Sequence, residues 1–470
     1  MPASVAIVGA GPVGLLLANL LGRRGVPLRV LEKQPQPYPL PRAIHFDGEA
    51  MRCFQAAGLA EAILPHTHVG KGMLFQDGAG RTLVDWSRDQ QIGLMGWYES
   101  YRFYQPGLEA VLREGLKRFD WVTLEPGREV VGLAQSGAGV TLSLADGDAV
   151  EAGFAIGCDG AQSVLRDALG IGMTDLGFHE RWLVVDLRLT RPRDDLGDYS
   201  IQFCDPEAPA TYVRGVGDRR RWEMRLEDGA PDRPDAAEVW RRLARWITPQ
   251  DADLERSAVY TFRSRIASAW RRGRCLLAGD AAHQMPPFMG QGMCAGVRDA
   301  ANLWWKLTAV LNGAPDDLLD SYQSEREANV RAFIEKSVAL GRLINQTAAG
   351  AVPQGRMASI WPDLGPGLGP RDGVGGGLVP QVRLASGALA DDTAEHGFYV
   401  LARAGTAVDG WHCVDGADGW LADRDLDGVV VRPDGYCLAG FRSSTDLTKI
   451  ADQFAALGLS AAPGSASDTA

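Results

Sequence analysis

The spacing of apolar residues predicts a β-α-β unit at the start of the chain. Residues 5–8 form an apolar run typical of a buried strand, the apolar positions from Pro12 to Arg24 recur at helical spacing, and Leu28 to Leu31 reads as a second strand. This order predicts the opening of a doubly wound sheet. Helical spacing later in the chain predicts two long helices, over Val297–Leu311 and Leu318–Asn345.

The middle of the chain follows a different pattern, in which apolar and polar residues alternate. Short runs between residues 129 and 159, separated by glycine-rich turns, predict antiparallel strands and then a return to the first sheet. Alternation from residue 181 to 267 predicts a separate, mostly antiparallel sheet inserted into the first domain. Residues 351–377 are rich in glycine and proline, as linkers are, and residues 378–460 read as a small α/β unit. The small polar residues from Ser460 onward predict a disordered tail.

Composition and charge narrow the class of protein. The 470 residues exceed the ~250–300 that one hydrophobic core supports, so two or three domains are expected. A net charge of −11 argues against a nucleic-acid partner. The short basic run Arg219, Arg220, Arg221 is interpreted as a solvated hairpin turn. No apolar stretch reaches the ~18 residues of a membrane span, and no signal peptide is expected. Seven dispersed cysteines indicate the cytoplasm, and scattered histidines favour no metal site.

A glycine-rich motif joins the first predicted strand to the first helix. Gly9-x-Gly11-x-x-Gly14 permits a tight turn and lets the backbone approach a pyrophosphate, which the helix N-terminus attracts. Glu32 ends the next strand, where its carboxylate can bind ribose hydroxyls. The motif alone fits either FAD or NAD.

Two later segments point to a flavin. Cys158-Asp159-Gly160 follows a strand, and an aspartate there can hold a sugar hydroxyl. The second segment contains Gly279-Asp280 and ends in Gly290-Gln291-Gly292-Met293, which is predicted to open a helix near Ala295. The free N–H groups of such a helix stabilise negative charge, which a reduced flavin carries at its pyrimidine end.

With these three motifs in this order, residues 4–345 resemble the class A flavin-dependent aromatic hydroxylases, the para-hydroxybenzoate hydroxylase superfamily. The resemblance implies tight, non-covalent FAD and a transient NADH or NADPH. It also implies the FAD contacts, which are Gly9, Gly11, Gly14, Glu32, Lys33, Arg42, Gln105, Asp159, Asp280, Gly290, Gly292 and Met293. Cys294 replaces the asparagine usual in the family; a cysteine is a poorer helix N-cap, so flavin positioning is expected to differ slightly.

The segments Pro41–Asp47, Phe103–Pro106 and Arg432–Tyr436 look like the 3-(3-hydroxyphenyl)propionate hydroxylase branch, which implies a C-terminal thioredoxin-like domain. The predicted α/β fold therefore has three parts. An FAD-binding doubly wound sheet spans residues 1–180 and 268–350, the substrate-binding sheet spans 181–267, and a linker leads to the thioredoxin-like domain at 378–460. The assembly is left open, with a homodimer as one option.

The resemblance implies that NAD(P)H reduces FAD, that O2 forms a flavin C4a-hydroperoxide, and that oxygen attacks a ring carbon ortho to a phenolate. Because a phenol has a pKa of ~10, it needs a base or a stabilising donor near neutral pH. His45 is the candidate catalytic base and substrate contact, with a purely shaping role as the alternative. Pro286, Pro287 and Phe288 are expected to form a dry wall, and Pro287 is also a candidate substrate contact.

Two arginines of the inserted sheet, Arg214 and Arg225, are candidates for binding a substrate carboxylate. His283 and Trp304-Trp305 are interpreted as structural. The alternatives are a nicotinamide dehydrogenase, a flavin reductase or dehydrogenase that does not use O2, a hydroxylase of a polyketide-type compound, and a catalytically silent flavoprotein.

Overall fold

The structure is a computed structural model, and it describes residues 3–205, 209–227, 229–348, 357–369, 373–406, 408 and 410–459. The tail from Ser460 and part of the predicted linker lie outside these residues.

The helices are α1 (Pro12–Gly22), α2 (Gly48–Ala56), α3 (Ala60–Ile63), α4 (Gln105–Leu116), α5 (Val164–Ala168), α6 (Ala236–Leu243), α7 (Gly292–Leu311), α8 (Ser321–Ala348), α9 (Ala390–Thr393), α10 (Asp418–Ala422) and α11 (Ser444–Ala456).

The strands form four sheets among the described residues. In chain order they are β1 (Ala3–Val8), β2 (Leu28–Glu32), β3 (His45–Asp47), β4 (Thr67–Val69), β5 (Gly72–Gln76), β6 (Thr82–Ser87), β7 (Ser100–Phe103), β8 (Val122–Pro126), β9 (Val130–Gln135), β10 (Val140–Leu144), β11 (Ala149–Gly157), β12 (Met173–Leu189), β13 (Ser200–Phe203), β14 (Ala210–Arg214), β15 (Arg219–Arg225), β16 (Ala252–Ala267), β17 (Arg271–Arg272), β18 (Cys275–Leu277), β19 (His283–Gln284), β20 (Tyr399–Ala402), β21 (Cys413–Val414), β22 (Gly428–Val431) and β23 (Cys437–Phe441).

The first sheet is the doubly wound sheet that the sequence predicts. Its order is β17-β18-β11-β1-β2-β8, the strands from β18 to β8 are parallel, and β9 and β10 extend from β11 as an antiparallel pair. Val5 and Ile7 of β1 are completely buried, because strands at the centre of a parallel sheet are covered on both faces. The β-α-β start therefore places the glycine motif at the carboxyl edge of this sheet, where open α/β sheets bind ligands.

The second sheet is larger than the predicted segment 181–267. Its order is β19-β16-β12-β15-β14-β13-β5-β6, and β12 begins at Met173. Residues 72–87 also belong to it, since β5 pairs in parallel with β13. The prediction missed this pairing because a contact between strands more than a hundred residues apart leaves no local pattern in the sequence.

The interpretation of Arg219, Arg220 and Arg221 as a solvated turn is wrong. All three lie in β15, where Arg220 and Arg221 are buried. Arg221 can be buried because its Nε donates to Asp186 Oδ1 at 2.7 Å, which forms an ion pair between neighbouring strands.

The C-terminal sheet has the order β21-β20-β22-β23, with β20 and β21 parallel and the other pairs antiparallel. A thioredoxin-like unit at 378–460 remains a proposal for this region. The C-terminal region is attached to the first domain by buried ion pairs, such as Arg52 of α2 with Asp391 of α9 at 2.6 Å. A small fourth sheet, β3-β7-β4, lies beside the start of α2.

The two late helices are present as α7 and α8, with α7 beginning three residues before the predicted start at Ala295. Trp304 and Trp305 of α7 are buried, which confirms their interpretation as core residues. Within the described part of the chain, no helix is both long and apolar enough to cross a membrane.

Candidate active site

The glycine motif forms a turn that requires glycine at two of its three positions. Gly9 has a φ of +101°, and a Cβ on it would lie 2.4 Å from the carbonyl oxygen of Cys158. A Cβ on Gly14 would lie 2.1 Å from the carbonyl oxygen of Gly9. A Cβ on Gly11, in contrast, would meet no atom within 4 Å. Because α1 also begins without a side-chain cap, its first N–H groups are available to a pyrophosphate beside Gly11.

Glu32 is held in place beside this turn. Its Oε2 accepts a hydrogen bond from the backbone N–H of Ala10 at 2.8 Å, and its Oε1 accepts one from Gln34 at 2.8 Å. Each carboxylate oxygen can accept a second hydrogen bond, so ribose hydroxyls can bind there. Lys33 is exposed next to Glu32.

Gln105 anchors the segment that carries Arg42. Its side-chain oxygen accepts hydrogen bonds from the backbone N–H groups of Arg42 at 2.9 Å and Ala43 at 2.8 Å, while its Nε2 donates to Glu109 at 2.8 Å. The exposed guanidinium of Arg42 lies 5.1 Å from the centre of the Tyr38 ring. The structure thus gives Gln105 a supporting role, and its direct contact with FAD stays a proposal.

Arg221 is a site residue that the sequence interpretation missed. Its Nη1 donates to the carbonyl oxygen of Arg42 at 2.7 Å, and its Nη2 donates to that of Pro41 at 3.0 Å. It therefore ties the inserted sheet to the Arg42 segment. The alternation of Trp222, Glu223 and Met224 directly after the three arginines was the signal for a strand here.

The two predicted aspartates follow strands of the first sheet. Asp159 has a buried Oδ1 with no hydrogen-bond partner among the described residues, while its Oδ2 accepts from the backbone of Leu165 at 3.2 Å. Asp280 follows β18 at the same carboxyl edge of the sheet, which we call the cleft, and its side chain is exposed there although neighbouring protein encloses its carboxyl group. Burial raises the pKa of both carboxyls, and the charge of Arg42 opposes the rise at Asp280. An unpartnered buried oxygen fits a polar ligand such as FAD, with its many hydroxyl and amide groups.

The start of α7 presents free N–H groups to the same cleft. Gly290 has a φ of +65°, and the N-cap residue, Gln291, makes no side-chain cap, whereas Asp47 caps α2 and Ser163 caps α5. This helix start can stabilise an anionic flavin ring. Cys294 does not replace a cap, contrary to the expectation, because it is the third residue of α7 and is completely buried.

His45 lies against this helix start. Its Nδ1 is 3.4 Å from the carbonyl oxygen of Gly290, and Nδ1 can donate to that oxygen only if it carries the proton. In this tautomer Nε2 has no proton and can accept a hydrogen bond. Burial, and next the positive charge of Arg102, lower the pKa of His45 to about 3. The imidazole is therefore neutral at pH 7.

Comparison with known proteins decides the family. The family model described as "FAD binding domain" matches residues 2–337. A protein from Rhodococcus jostii, named "Probable NADH-specific resorcinol 4-hydroxylase", is 39% identical over 96% of this chain and 94% of its own length. The chain belongs to the flavin-dependent aromatic hydroxylases. This confirms the resemblance found in the sequence, and with it FAD as the cofactor.

Other proteins similar to this hydroxylase support the same family assignment. A 3-(3-hydroxy-phenyl)propionate/3-hydroxycinnamic acid hydroxylase from Mycolicibacterium smegmatis is 40% identical over 73% of this chain, and the match spans 61% of that relative. Two solved structures share the fold: the flavin-dependent monooxygenase PieE, with a TM-score of 0.82 and 20% identity, and aklavinone-11 hydroxylase, with 0.79 and 22%. They cover 97% of this chain and 99% of their own chains.

The proline loop of the hydroxylase leads into α7. Ser337 of α8 donates a hydrogen bond to the carbonyl oxygen of Pro286 at 2.9 Å, and Phe288 packs edge-on against Trp182 with 5.4 Å between ring centres. Pro287 stays half-exposed between these two anchored residues. The loop therefore joins the inserted sheet to the helix start and can exclude water from the cleft.

The two arginines proposed for a substrate carboxylate are already engaged. Arg214 is 3.4 Å from Asp198 and donates to the carbonyl oxygen of Gly215. Arg225 is exposed at the end of β15, where it donates to Asn345 at 2.8 Å. The structure does not bring either of them into contact with His45.

A buried network supports the cleft from behind. Arg298 of α7 donates to Gln291, Asp47 and Glu49 at 2.9, 2.6 and 2.6 Å, and Glu49 also accepts a hydrogen bond from the Tyr436 hydroxyl at 2.7 Å. Because Tyr436 belongs to the C-terminal region, that region is linked to the N-cap of α7.

His283 belongs to a second buried network. Its Nε2 is 2.6 Å from Asp299, which also accepts from Arg326 at 2.9 Å and from the backbone of Gly279 at 2.9 Å. These contacts support a structural role for His283, since they fix the loop that carries Asp280.

Proposed function

We propose that this hydroxylase uses NADH and O2 to add a hydroxyl group to a phenolic ring, ortho to the existing hydroxyl. The observation that carries the proposal is the imidazole of His45, 3.4 Å from the carbonyl oxygen of Gly290, beside the uncapped start of α7, where the flavin ring would lie. The name of the Rhodococcus relative supports NADH and a resorcinol-type substrate, and the propionate hydroxylases support a phenolic acid. We further propose that the enzyme is cytoplasmic, because its seven cysteines are dispersed along the sequence, as in proteins of a reducing compartment.

FAD would extend along the edge of the first sheet. The pyrophosphate would lie at Gly11, the adenosine ribose at Glu32, with Lys33 nearby, and the ribityl chain at Asp280. Asp159, Arg42 and Gln105 would complete the binding site, and Gly290, Gly292 and Met293 would face the flavin pyrimidine. When bound, FAD supplies hydride acceptance from the nicotinamide and, once reduced, the activation of O2.

His45 would accept the phenol proton on Nε2. A neutral imidazole with a pKa of about 3 holds an added proton weakly, so the phenolate must stay beside it to stabilise the positive charge. Removing the proton raises the electron density of the ring at its ortho carbon, which is the position to be attacked. The alternative is that His45 only shapes the site.

Exclusion of water would be the task of the loop at Pro287 and Phe288. A dry site prevents the loss of activated oxygen as hydrogen peroxide. Because Ser337 and Trp182 fix the two sides of this loop, the protein can maintain the wall without a large movement.

The test is a screen of phenols for stimulated NADH oxidation. The purified protein should be yellow and release intact FAD on denaturation, and resorcinol or 3-(3-hydroxyphenyl)propionate should increase both NADH and O2 consumption, with a dihydroxylated or trihydroxylated product. NADH oxidation without O2 uptake would indicate a flavin reductase or dehydrogenase instead. A flavoprotein that no phenol stimulates would indicate a silent binding protein, and the proposal would be wrong.

A further inference from the structure

The three-stranded sheet β3-β7-β4 places three basic residues in one row across its strands. In the antiparallel pairs of this sheet, His45 of β3 lies directly opposite Arg102 of β7, and Arg102 lies directly opposite His68 of β4. Residues directly opposite in antiparallel strands project from the same face. Arg102 is therefore the side chain next to His45, on the face that meets the inserted sheet at Ser200.

Arg102 is a buried cation without an anionic partner among the residues that the structure describes. Its side chain donates to the Ser200 hydroxyl at 2.9 Å, and no carboxylate of the described residues lies within 4.0 Å of its nitrogens. Burial, and then the charge of Arg88, lower the pKa of Arg102 to about 10. It therefore still carries its charge at pH 7.

Arg88, which follows β6, adds a second positive charge. It donates to the Ser359 hydroxyl at 2.6 Å and lies 4.6 Å from the centre of the Trp86 ring, again with no carboxylate of the described residues at ion-pair distance. Asp47 and Glu99 affect it only at longer range, and Asp47 is already bound to Arg298.

Other buried arginines of this chain show what a compensated charge looks like. Five of them have a carboxylate oxygen at 2.6–2.9 Å: Arg52 with Asp391, Arg221 with Asp186, Arg298 with Asp47, Arg326 with Asp299, and Arg432 with Asp434. Arg220 is buried without a carboxylate of the described residues at that distance, but it donates to the backbone carbonyls of Gly217 at 2.9 Å and Arg219 at 2.7 Å. A buried guanidinium without such a partner is costly, unless a ligand supplies the anion.

We propose that Arg102, supported by Arg88, is an anion-binding subsite that receives an anionic oxygen of the aromatic substrate beside His45. This inference rests on the proposed function and specifies its substrate. The anionic oxygen has two sources: a carboxylate on the substrate side chain, or the phenolate itself. In both cases the guanidinium donates charge-assisted hydrogen bonds, which are stronger than neutral ones.

The groups that face Arg102 determine how the subsite responds to pH. They are His45, His68, Ser200 and Arg88, and the next carboxylate along the row, Asp198, is engaged by Lys71 at 3.4 Å. The two guanidinium charges lower the pKa of a bound phenol, since they favour its anionic form. A phenolic acid would carry its negative charge at any pH above the pKa of its carboxyl group.

The experiment measures ligand binding to the oxidised, FAD-loaded enzyme, without turnover. Three probes are titrated while the flavin spectrum is followed: 3-(3-hydroxyphenyl)propionate, the matched neutral alcohol 3-(3-hydroxyphenyl)propan-1-ol, and resorcinol. The variants are Arg102→Gln, Arg102→Lys and Arg88→Gln, and the control is Arg188→Gln, which removes an exposed arginine of β12.

If a carboxylate occupies the subsite, the acid binds the wild type more tightly than the alcohol does, and Arg102→Gln weakens only the acid, by about 10- to 100-fold. If the phenolate occupies it, resorcinol binding tightens as the pH rises, and Arg102→Gln removes that dependence. Arg102→Lys retains most of the effect, while the control matches the wild type.

The proposal is overturned if Arg102→Gln, with FAD still bound, changes neither the preference for the acid nor the pH dependence for resorcinol. If Arg102→Gln does not retain FAD, the same comparison is made with Arg88→Gln, for which we expect the affinity for the anionic probe to fall several-fold. An unchanged affinity in Arg88→Gln would then overturn the proposal. Because no turnover is measured, failure here is distinguishable from failure of hydroxylation.

Discussion

At the scale of single residues, the imidazole of His45 is the group nearest to the expected chemistry. His45→Ala should slow hydroxylation by ~100-fold, since a positioned base contributes about that much to a proton transfer. FAD content should stay near normal, and more H2O2 should appear per NADH consumed because the ring is less nucleophilic. The measurement is the yield of hydroxylated product per NADH at pH 7 and at higher pH, where solvent partly restores the phenolate. Wild-type coupling in the variant would leave His45 with a shaping role.

The depressed pKa of His45 also predicts a dependence of stability on pH. Between pH 6.5 and about 3, the unfolded chain binds a proton at His45 that the folded chain does not, so stability falls as the pH falls. His45→Gln should remove this contribution, which amounts to about 2 kcal/mol between pH 6.5 and 5. Denaturant unfolding of the FAD-loaded wild type and variant at both pH values measures it. Equal pH dependence in the two proteins would show that His45 titrates normally in the fold.

At the scale of elements, two glycines of the turn into α1 should respond differently to substitution by alanine. Gly14→Ala should impair folding, because its methyl group would lie 2.1 Å from a backbone oxygen. Gly11→Ala should fold normally, since Gly11 has an ordinary φ of −77° and open space around it, but its methyl group would occupy the pyrophosphate position. We expect FAD affinity to fall by about 10-fold or more.

Titration of the apoprotein with FAD, together with thermal unfolding, measures both variants. The matched comparison within one turn separates loss of folding from loss of cofactor binding. Normal FAD affinity in Gly11→Ala would show that the pyrophosphate does not lie at the start of α1.

The elements also show which features the sequence could predict. The glycine turn, Glu32 and the start of α7 depend on residues close in sequence, so their motifs could be recognised. Arg221 and Arg102 acquire their roles from strand pairings across long separations, which local patterns do not encode. The same reason explains why β5 was missed, and why Cys294 was mistaken for a cap: the start of α7 could be placed only to within a few residues.

At the scale of the whole molecule, the C-terminal region is continuous with the FAD-binding domain through buried charges. Glu325 of α8 accepts hydrogen bonds from Arg432 at 2.8 Å and from Lys306 at 2.7 Å. Despite burial, which opposes ionisation, these charges hold the pKa of Glu325 far below its usual range. Glu325→Gln should therefore destabilise the protein by ~3–5 kcal/mol, since it leaves buried cations uncompensated.

Denaturant unfolding followed by tryptophan and flavin fluorescence measures this effect. Glu327→Gln is the control on the same helix; it removes a partly exposed pair with Arg331 and should change stability by less than ~1 kcal/mol. We expect one transition in the wild type. A separate transition for the C-terminal region would contradict its integration into the fold.

The most direct test of the function follows the oxygen atom itself. The FAD-loaded enzyme is supplied with NADH, a stimulating phenol and O2 labelled with the heavy oxygen isotope, and the product is analysed by mass spectrometry. We expect one labelled oxygen atom in the new ring hydroxyl, one NADH and one O2 consumed per product, and no label when only the water is labelled. Label derived from water, or a product formed without O2, would contradict monooxygenation by this protein.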